Sequence, residues 1–131
     1  MPLQVELVSP ERTLLSVEAK MVRARTVGGG DFAILSGHTP FIGALETWTV
    51  EVTGVDNSSI IAAVHGGFIE VSNDHVKILS DLAELADQID VPRAQRSADA
   101  LQAKAQADED AEAQAALQRA HARLRATGDL L

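Results

Sequence analysis

The chain is 131 residues long, the size of one domain or of a small domain with an appendage. Hydrophobic residues make up 46%, enough for a packed core, and the lack of cysteine excludes disulfides, thiolate metal sites and a thiol nucleophile. With 19 acidic against 11 basic residues the formal net charge is -8, and aromatics are only 3%, so the chain has neither the basic footprint nor the stacking platforms of a nucleic-acid binder.

The N-terminal segment Met1-Pro2-Leu3-Gln4-Val5-Glu6 lacks the basic start and apolar run of a secretory signal. No apolar run approaches the roughly 20 residues that span a bilayer, so membrane association is expected only through a partner, without direct insertion. Leu3, Val5 and Leu7 alternate with Gln4 and Glu6, the period of a strand with one face on a core. A second such run holds Met21, Ala24 and Val27 with Arg23 and Arg25, a third Trp48, Val50 and Val52, and a further pair Val71, Val76 and Ile78. Turn residues fall between the runs: Ser9-Pro10, Gly28-Gly29-Gly30-Asp31, Ser36-Gly37-His38-Thr39-Pro40, Gly54-Val55-Asp56-Asn57 and Ser72-Asn73-Asp74. Short strands at this spacing predict an antiparallel sandwich or flattened barrel over residues 1–87. Gly66-Gly67, between two apolar runs, predicts a bulge or a close backbone approach.

The composition changes near Asp87. Residues 88–131 are rich in Ala, Gln and Arg and predict a helical tail. Asp90 ahead of Val91-Pro92 is a start signal, there is no Gly or Pro from Arg93 to Thr127, and Gly128 is a stop. Large apolar residues in the tail are few: Leu101, Leu117 and Leu124. The acidic run Asp108-Glu109-Asp110, followed by Glu112, suits either the start of a second helix or the exposed face of one unbroken rod about 50 Å long. Residues 1–87 carry 12 acids and 5 bases, whereas the tail carries 7 acids and 6 bases with Arg119, Arg123 and Arg125 near its end. That basic end suits docking on an acidic surface, the chain's own sandwich included.

Catalytic patterns are missing. There is no nucleophile elbow, zinc-protease or P-loop pattern, and His38, His65, His75 and His121 have no metal-ligand spacing. Arg119 and Arg123 share a helix face and, with Arg93, could hold a polyphosphate because guanidinium matches phosphate oxygens. By spacing alone, solvated helix charges or docking pairs are the favoured reading of the same arginines.

Several stretches together resemble one family. Gly30-Asp31-Phe32-Ala33-Ile34-Leu35-Ser36-Gly37-His38-Thr39-Pro40 resembles the G-E-L-G-I-L-P-G-H-x-P segment of the epsilon subunit of bacterial F-type ATP synthases. Gly66-Gly67-Phe68-Ile69-Glu70-Val71 resembles its G-G-F-L-E-V strand, and Val76-Lys77-Ile78-Leu79, Ala83-Glu84 and Ile89-Asp90 resemble its V-T-I-L…A-E…I-D junction. Arg119-Ala120-His121-Ala122-Arg123-Leu124 is similar to the end of its last helix, so the resemblance runs through the whole chain in order.

The resemblance implies an all-β N-terminal sandwich of about ten strands over 1–87, followed by an α-helical hairpin over 88–131. It implies a non-catalytic central-stalk subunit of the proton-translocating synthase, peripheral on the cytoplasmic side of the cell membrane, joining the gamma subunit to the c-ring. The tail, extended toward the alpha/beta catalytic head, would inhibit ATP hydrolysis. Asp31 stands where the family has Glu and, with His38, is a candidate c-ring contact, although Ser36 replaces the family's Pro and Ala33 its Gly. No cofactor is required, but some members bind ATP through I/L-D-x-x-R-A. Ile89-Asp90-Val91-Pro92-Arg93-Ala94 fits that motif, and Glu84, Arg119 and Arg123 fall at matching positions, which implies a weak regulatory ATP site. A further basic residue of that motif falls near Ala100, with Arg96 one turn earlier. Two other readings stay open: a free-standing nucleotide-sensing module, and an adapter that oligomerises through its Ala-rich helices.

Overall fold

The structure, a computed structural model, describes residues 2–108 and 111–129. Alternation of branched aliphatics with polar residues sends one face of each strand inward. In β1 (Leu3–Val8), Leu3, Val5 and Leu7 are buried while Gln4 and Glu6 are partly exposed. The long β2 (Thr13–Thr26) pairs with β1 along its first half. Its second half lies between β3 (Gly30–Leu35) and β5 (Thr47–Gly54), so that Arg23 opposes both Ala33 and Glu51. The register against β5 shifts between Ala19 and Met21, and such an irregularity lets one strand bend from the first layer into the second.

The remaining strands are β4 (Phe41–Ala44), β6 (Ser59–His65), β7 (Phe68–Ser72), β8 (His75–Leu79) and β9 (Ala83–Leu85). They join one sheet in the order β4-β7-β8-β1-β2-β5-β6-β9, with β3 on β2. That makes nine strands among the described residues, against about ten expected. One pair departs from the antiparallel expectation: β1 and β8 run parallel, Gln4 opposite His75 through Val8 opposite Leu79. A parallel neighbour needs a long connection, and here the intervening strands provide it. The sheet closes over a core built from Leu3, Val5, Val22, Ile34, Val50, Val52, Ile69, Val71, Val76 and Ile78.

Two turns show how local chemistry sets the register. Asn73 and Asp74 both take positive φ and make the two-residue turn that pairs Ser72 with His75. Gly67, at φ 116, lies where a Cβ would run into the Leu79 carbonyl oxygen, the close backbone approach expected for the Gly66-Gly67 pair. Beside it the buried Ser80 hydroxyl sits 2.8 Å from the Gly66 carbonyl oxygen and 2.9 Å from that of Leu82.

After a short 3-10 turn at Ala86–Gln88 come α1 (Val91–Asp108) and α2 (Ala111–Ala126). Asp90 caps α1, its Oδ1 accepting the Arg93 backbone N–H at 3.1 Å. Gly128, at φ 83, ends α2, with the Asp129 N–H returning to the Leu124 carbonyl at 2.8 Å. Ala94, Ala98, Ala120 and Leu124 form a common cluster, as two helices folded antiparallel would bring them. The tail is thus a hairpin and not a rod; Glu109 and Asp110, at the centre of the acidic run, lie outside the described residues. α2 also packs on β5 and β6.

Candidate functional site

The junction between sandwich and tail is organised by β6. Its residues Ile60, Ile61, Ala62, Ala63 and Val64 form an unbroken apolar run, as a strand covered on both faces requires. Ala62 and Val64 point into the sandwich core, while Ala63 meets Ala122 and Ala126 of α2. Pairing of Ala63 with Glu84 on β9 places Glu84 on that second face, and His65, two residues on from Ala63, shares it.

Glu84 Oε1 takes two hydrogen bonds, one from Arg123 Nε at 2.6 Å and one from His65 Nε2 at 2.9 Å. The hydrogen bond from His65 holds the Glu84 carboxyl below its ordinary range; burial opposes this and Arg123 reinforces it. The His65 side chain is almost fully buried, and its Nδ1 has no hydrogen-bond partner among the described residues. Arg123 therefore docks on the acidic sandwich, as the charge distribution predicted.

A cavity of about 320 Å³ opens beside this pair, lined by Glu84, Gln88, Asp90, Arg93, Ala94, Ser97 and Arg123. It brings together five of the seven residues the motif proposed for nucleotide. Asp90 lines it while also serving as the α1 cap. Two residues fall elsewhere. Ile89 packs in the apolar cluster of Ala63, Ala122 and Ala126, because the chain turns its side chain under α2. Arg119 is one helical turn, about 5.4 Å, earlier in α2 than Arg123, and donates to Glu112 at 3.0 Å. The cavity therefore offers two guanidiniums where the motif suggested three, and one of those two is engaged by Glu84.

Asp31 and His38 do not meet. Asp31 lies at the start of β3 and forms a two-pronged ion pair with Arg25, at 2.8 and 3.1 Å. That hydrogen bond lowers the Asp31 carboxyl and raises the Arg25 guanidinium from their ordinary values. His38 follows the other end of β3; its Nδ1 is 2.7 Å from the Thr39 carbonyl oxygen, its ring edge-on to Phe41. The four strand steps from Asp31 to Leu35, at about 3.3 Å each, put the two residues at opposite ends of β3.

Residues that the sequence reading did not assign to a site also belong to this junction. His65 is the second partner of Glu84. Trp48 lies against two guanidiniums, Arg25 at 3.5 Å and Arg125 at 3.6 Å from a ring centroid. The available signals were weak: a lone His in a strand, the single Trp of the chain, and an Arg in the last helical turn.

A β-sandwich with a small-residue helical hairpin docked on the face of β5 and β6, and an arginine-lined cavity at the seam, defines a two-part class of protein, an all-β domain that carries a helical tail. The family described as "ATP synthase, Delta/Epsilon chain, beta-sandwich domain" matches residues 2–86. The ATP synthase epsilon chain of Streptomyces griseus is 45% identical over 124 residues, covering 95% of this chain and 94% of that one. The epsilon chain of Thermobifida fusca is 45% identical over 125 residues, covering 93% and 89%. In solved structures, a chain of the Euglena gracilis mitochondrial ATP synthase (OSCP/F1/c-ring in rotational state 1) superposes with a TM-score of 0.83 at 22% identity, covering 95% of this chain and 80% of that one. A chain of the Tetrahymena thermophila mitochondrial ATP synthase central stalk and c-ring gives 0.55 at 16% identity, covering 72% and 70%, and these two likenesses speak to the fold. This chain belongs to the ATP synthase delta/epsilon family.

Proposed function

We propose that this chain works as a non-catalytic central-stalk subunit of a proton-translocating ATP synthase, its sandwich held between the gamma subunit and the c-ring and its tail regulating ATP hydrolysis. The observation that carries this is the 45% identity with epsilon chains through both halves at once, 95% of the chain. A set of exposed apolar side chains supports the stalk role: Ile42, Phe68 and Leu79 are 73%, 58% and 39% exposed on the adjoining strands β4, β7 and β8. Phe68 lies directly opposite Leu79, and such a patch suits a protein partner, for which gamma is the proposal. No helix among the described residues is long and apolar enough to cross a membrane, so attachment on the cytoplasmic side would come through the c-ring.

The regulatory part follows from the seam. Among the described residues the hairpin meets the sandwich through Ala122 and Ala126 against Ala63 and Ile61, through Arg123 on Glu84 and through Arg125 on Trp48, a fastening light enough to release. Released, α2 would be free to extend toward the alpha/beta head and inhibit hydrolysis. Nucleotide fits the cavity through its donors: Arg93, which has no carboxylate partner among the described residues, and Arg123 would hold phosphate oxygens. Binding ATP would draw Arg123 from Glu84, which accounts for a weak site, and would favour the hairpin by its differential affinity for that form. The test is hydrolysis and proton pumping by membranes carrying the subunit truncated after residue 87. Faster hydrolysis with pumping retained is expected; an unchanged rate would remove the inhibitory role, and loss of the subunit from the complex would relocate the stalk contacts to the tail.

A further inference from the structure

The two flanks of α2 are fastened differently. On one flank Arg123 reaches Glu84 and the nucleotide cavity. On the other, His121 and Arg125 line a second cavity of about 440 Å³ together with Arg25, Glu46 and Trp48. There the Arg125 guanidinium carbon lies 3.6 Å from a Trp48 ring centroid and that of Arg25 lies 3.5 Å. Two guanidiniums that close to one indole cannot share a face without overlapping, so the indole lies between them. Cations at this distance are attracted by the negative faces of the ring.

The two cations are not equivalent. Arg25 belongs to the sandwich and is neutralised by Asp31 through two hydrogen bonds. Arg125 belongs to the tail and has no carboxylate hydrogen-bond partner among the described residues. Burial, and then repulsion from Arg25, push its guanidinium below the ordinary value, against a smaller pull from Asp31. With only that weaker pull from Asp31 and no carboxylate bonded to it among the described residues, Arg125 rests on the indole face. Asp31, by locking Arg25 across the ring, keeps the indole fixed to receive it.

We propose that the Arg25–Trp48–Arg125 stack is a latch that holds the tail on the sandwich, with Arg125 as its moving part and Trp48, backed by Arg25 and Asp31, as its fixed seat. The latch is independent of nucleotide, because it lies on the flank of α2 away from Arg93 and Arg123. It sets how readily the hairpin leaves the sandwich, whatever the released tail then does.

Hydrogen exchange of the α2 backbone amides in the full chain, without nucleotide, reads the docking equilibrium. Arg125→Gln and Trp48→Leu are each expected to speed α2 exchange about tenfold, the upper part of the range for a desolvated cation–aromatic pair. The double variant should exchange no faster than the faster single variant, because both break one contact. Core amides of Val5 and Val76 should keep their protection throughout. If Trp48→Leu instead loosens those core amides, Arg125→Gln alone decides, with Arg125→Lys expected to recover part of the protection. Unchanged α2 exchange in Arg125→Gln, or independent multiplying effects in the double variant, would overturn the latch. So would an equal effect from Arg12→Gln, an exposed arginine outside the seam.

Discussion

The sandwich and the tail bury their residues by different means. The sandwich core is made of Leu, Ile and Val from β1, β2, β3, β5, β7 and β8, each burying a large branched side chain. The hairpin is closed mainly by Ala94, Ala98 and Ala120 around Leu124, and it meets the sandwich through Ala63, Ala122 and Ala126. Alanine allows close approach but removes little apolar area from water, and each buried CH₂ contributes only about 0.8 kcal/mol. The sandwich is therefore expected to stand alone, and the tail to depend on its dock. Both halves carry charged fastenings, but the tail relies on them.

The largest contrast is expected from two substitutions at equally buried sites. Ile78 and Leu124 are both 1% exposed. Ile78→Ala should cost the sandwich about 2–5 kcal/mol, seen as a large drop in its denaturant midpoint. Leu124→Ala should leave the sandwich transition in place and lower only the helical signal of the tail. A single transition shifted equally by both would mean that the halves fold as one unit.

Next in size, residues 1–87 alone should melt cooperatively, because the main core cluster contains no tail residue. A broad melt would show that the sandwich needs its helices. Arg123→Ala should then weaken ATP binding by about tenfold, from the loss of a charged hydrogen bond worth about 1.5–3 kcal/mol, as calorimetry of the full chain with ATP would show. Arg119→Ala should have less effect, since Arg119 is paired with Glu112 outside the cavity. Equal losses would place Arg119 on the ligand after all.

The smallest expected effect is that of pH. The Glu84 carboxyl is held below its ordinary 4.5 in the docked state, first by His65 and then by Arg123 against burial. His65 belongs to the sandwich and stays with Glu84 when the tail leaves, so docking gains only the Arg123 part, which is present while the carboxylate is ionised and is lost as pH falls through the depressed value. Protection of the α2 amides, taken relative to the intrinsic exchange rate at each pH, should fall on acidification in this range, and Glu84→Gln should flatten the response. Loss of protection that persists in Glu84→Gln would assign the titration to another group.

Much of the fold was legible because it rests on short-range rules. Period-two alternation marked β1, β5 and β8, the Asn73-Asp74 pair marked a turn, and Asp90 and Gly128 marked helix ends. β6 was harder, since Ile60 to Val64 do not alternate and no local rule says that a helix will cover the second face. The candidate site was partly legible for the same reason. The spacing of Glu84, Asp90, Arg93 and Arg123 pointed to the seam, whereas Arg119, equally suitable by spacing, turned to Glu112 on its own helix.

By itself the sequence determined the two architectures, the place where they join, and a net charge distribution that favours a basic tail end against an acidic sandwich. These follow from side-chain period, backbone preference and charge, which are properties of neighbours along the chain. Only the tertiary structure decided that the tail is a hairpin, that Arg123 shares Glu84 with the buried His65, and that Trp48 lies between Arg25 and Arg125. Each of those depends on which face of α2 meets the sheet, and that is set by how closely Ala122 and Ala126 can approach Ala63, a contact between residues about sixty positions apart.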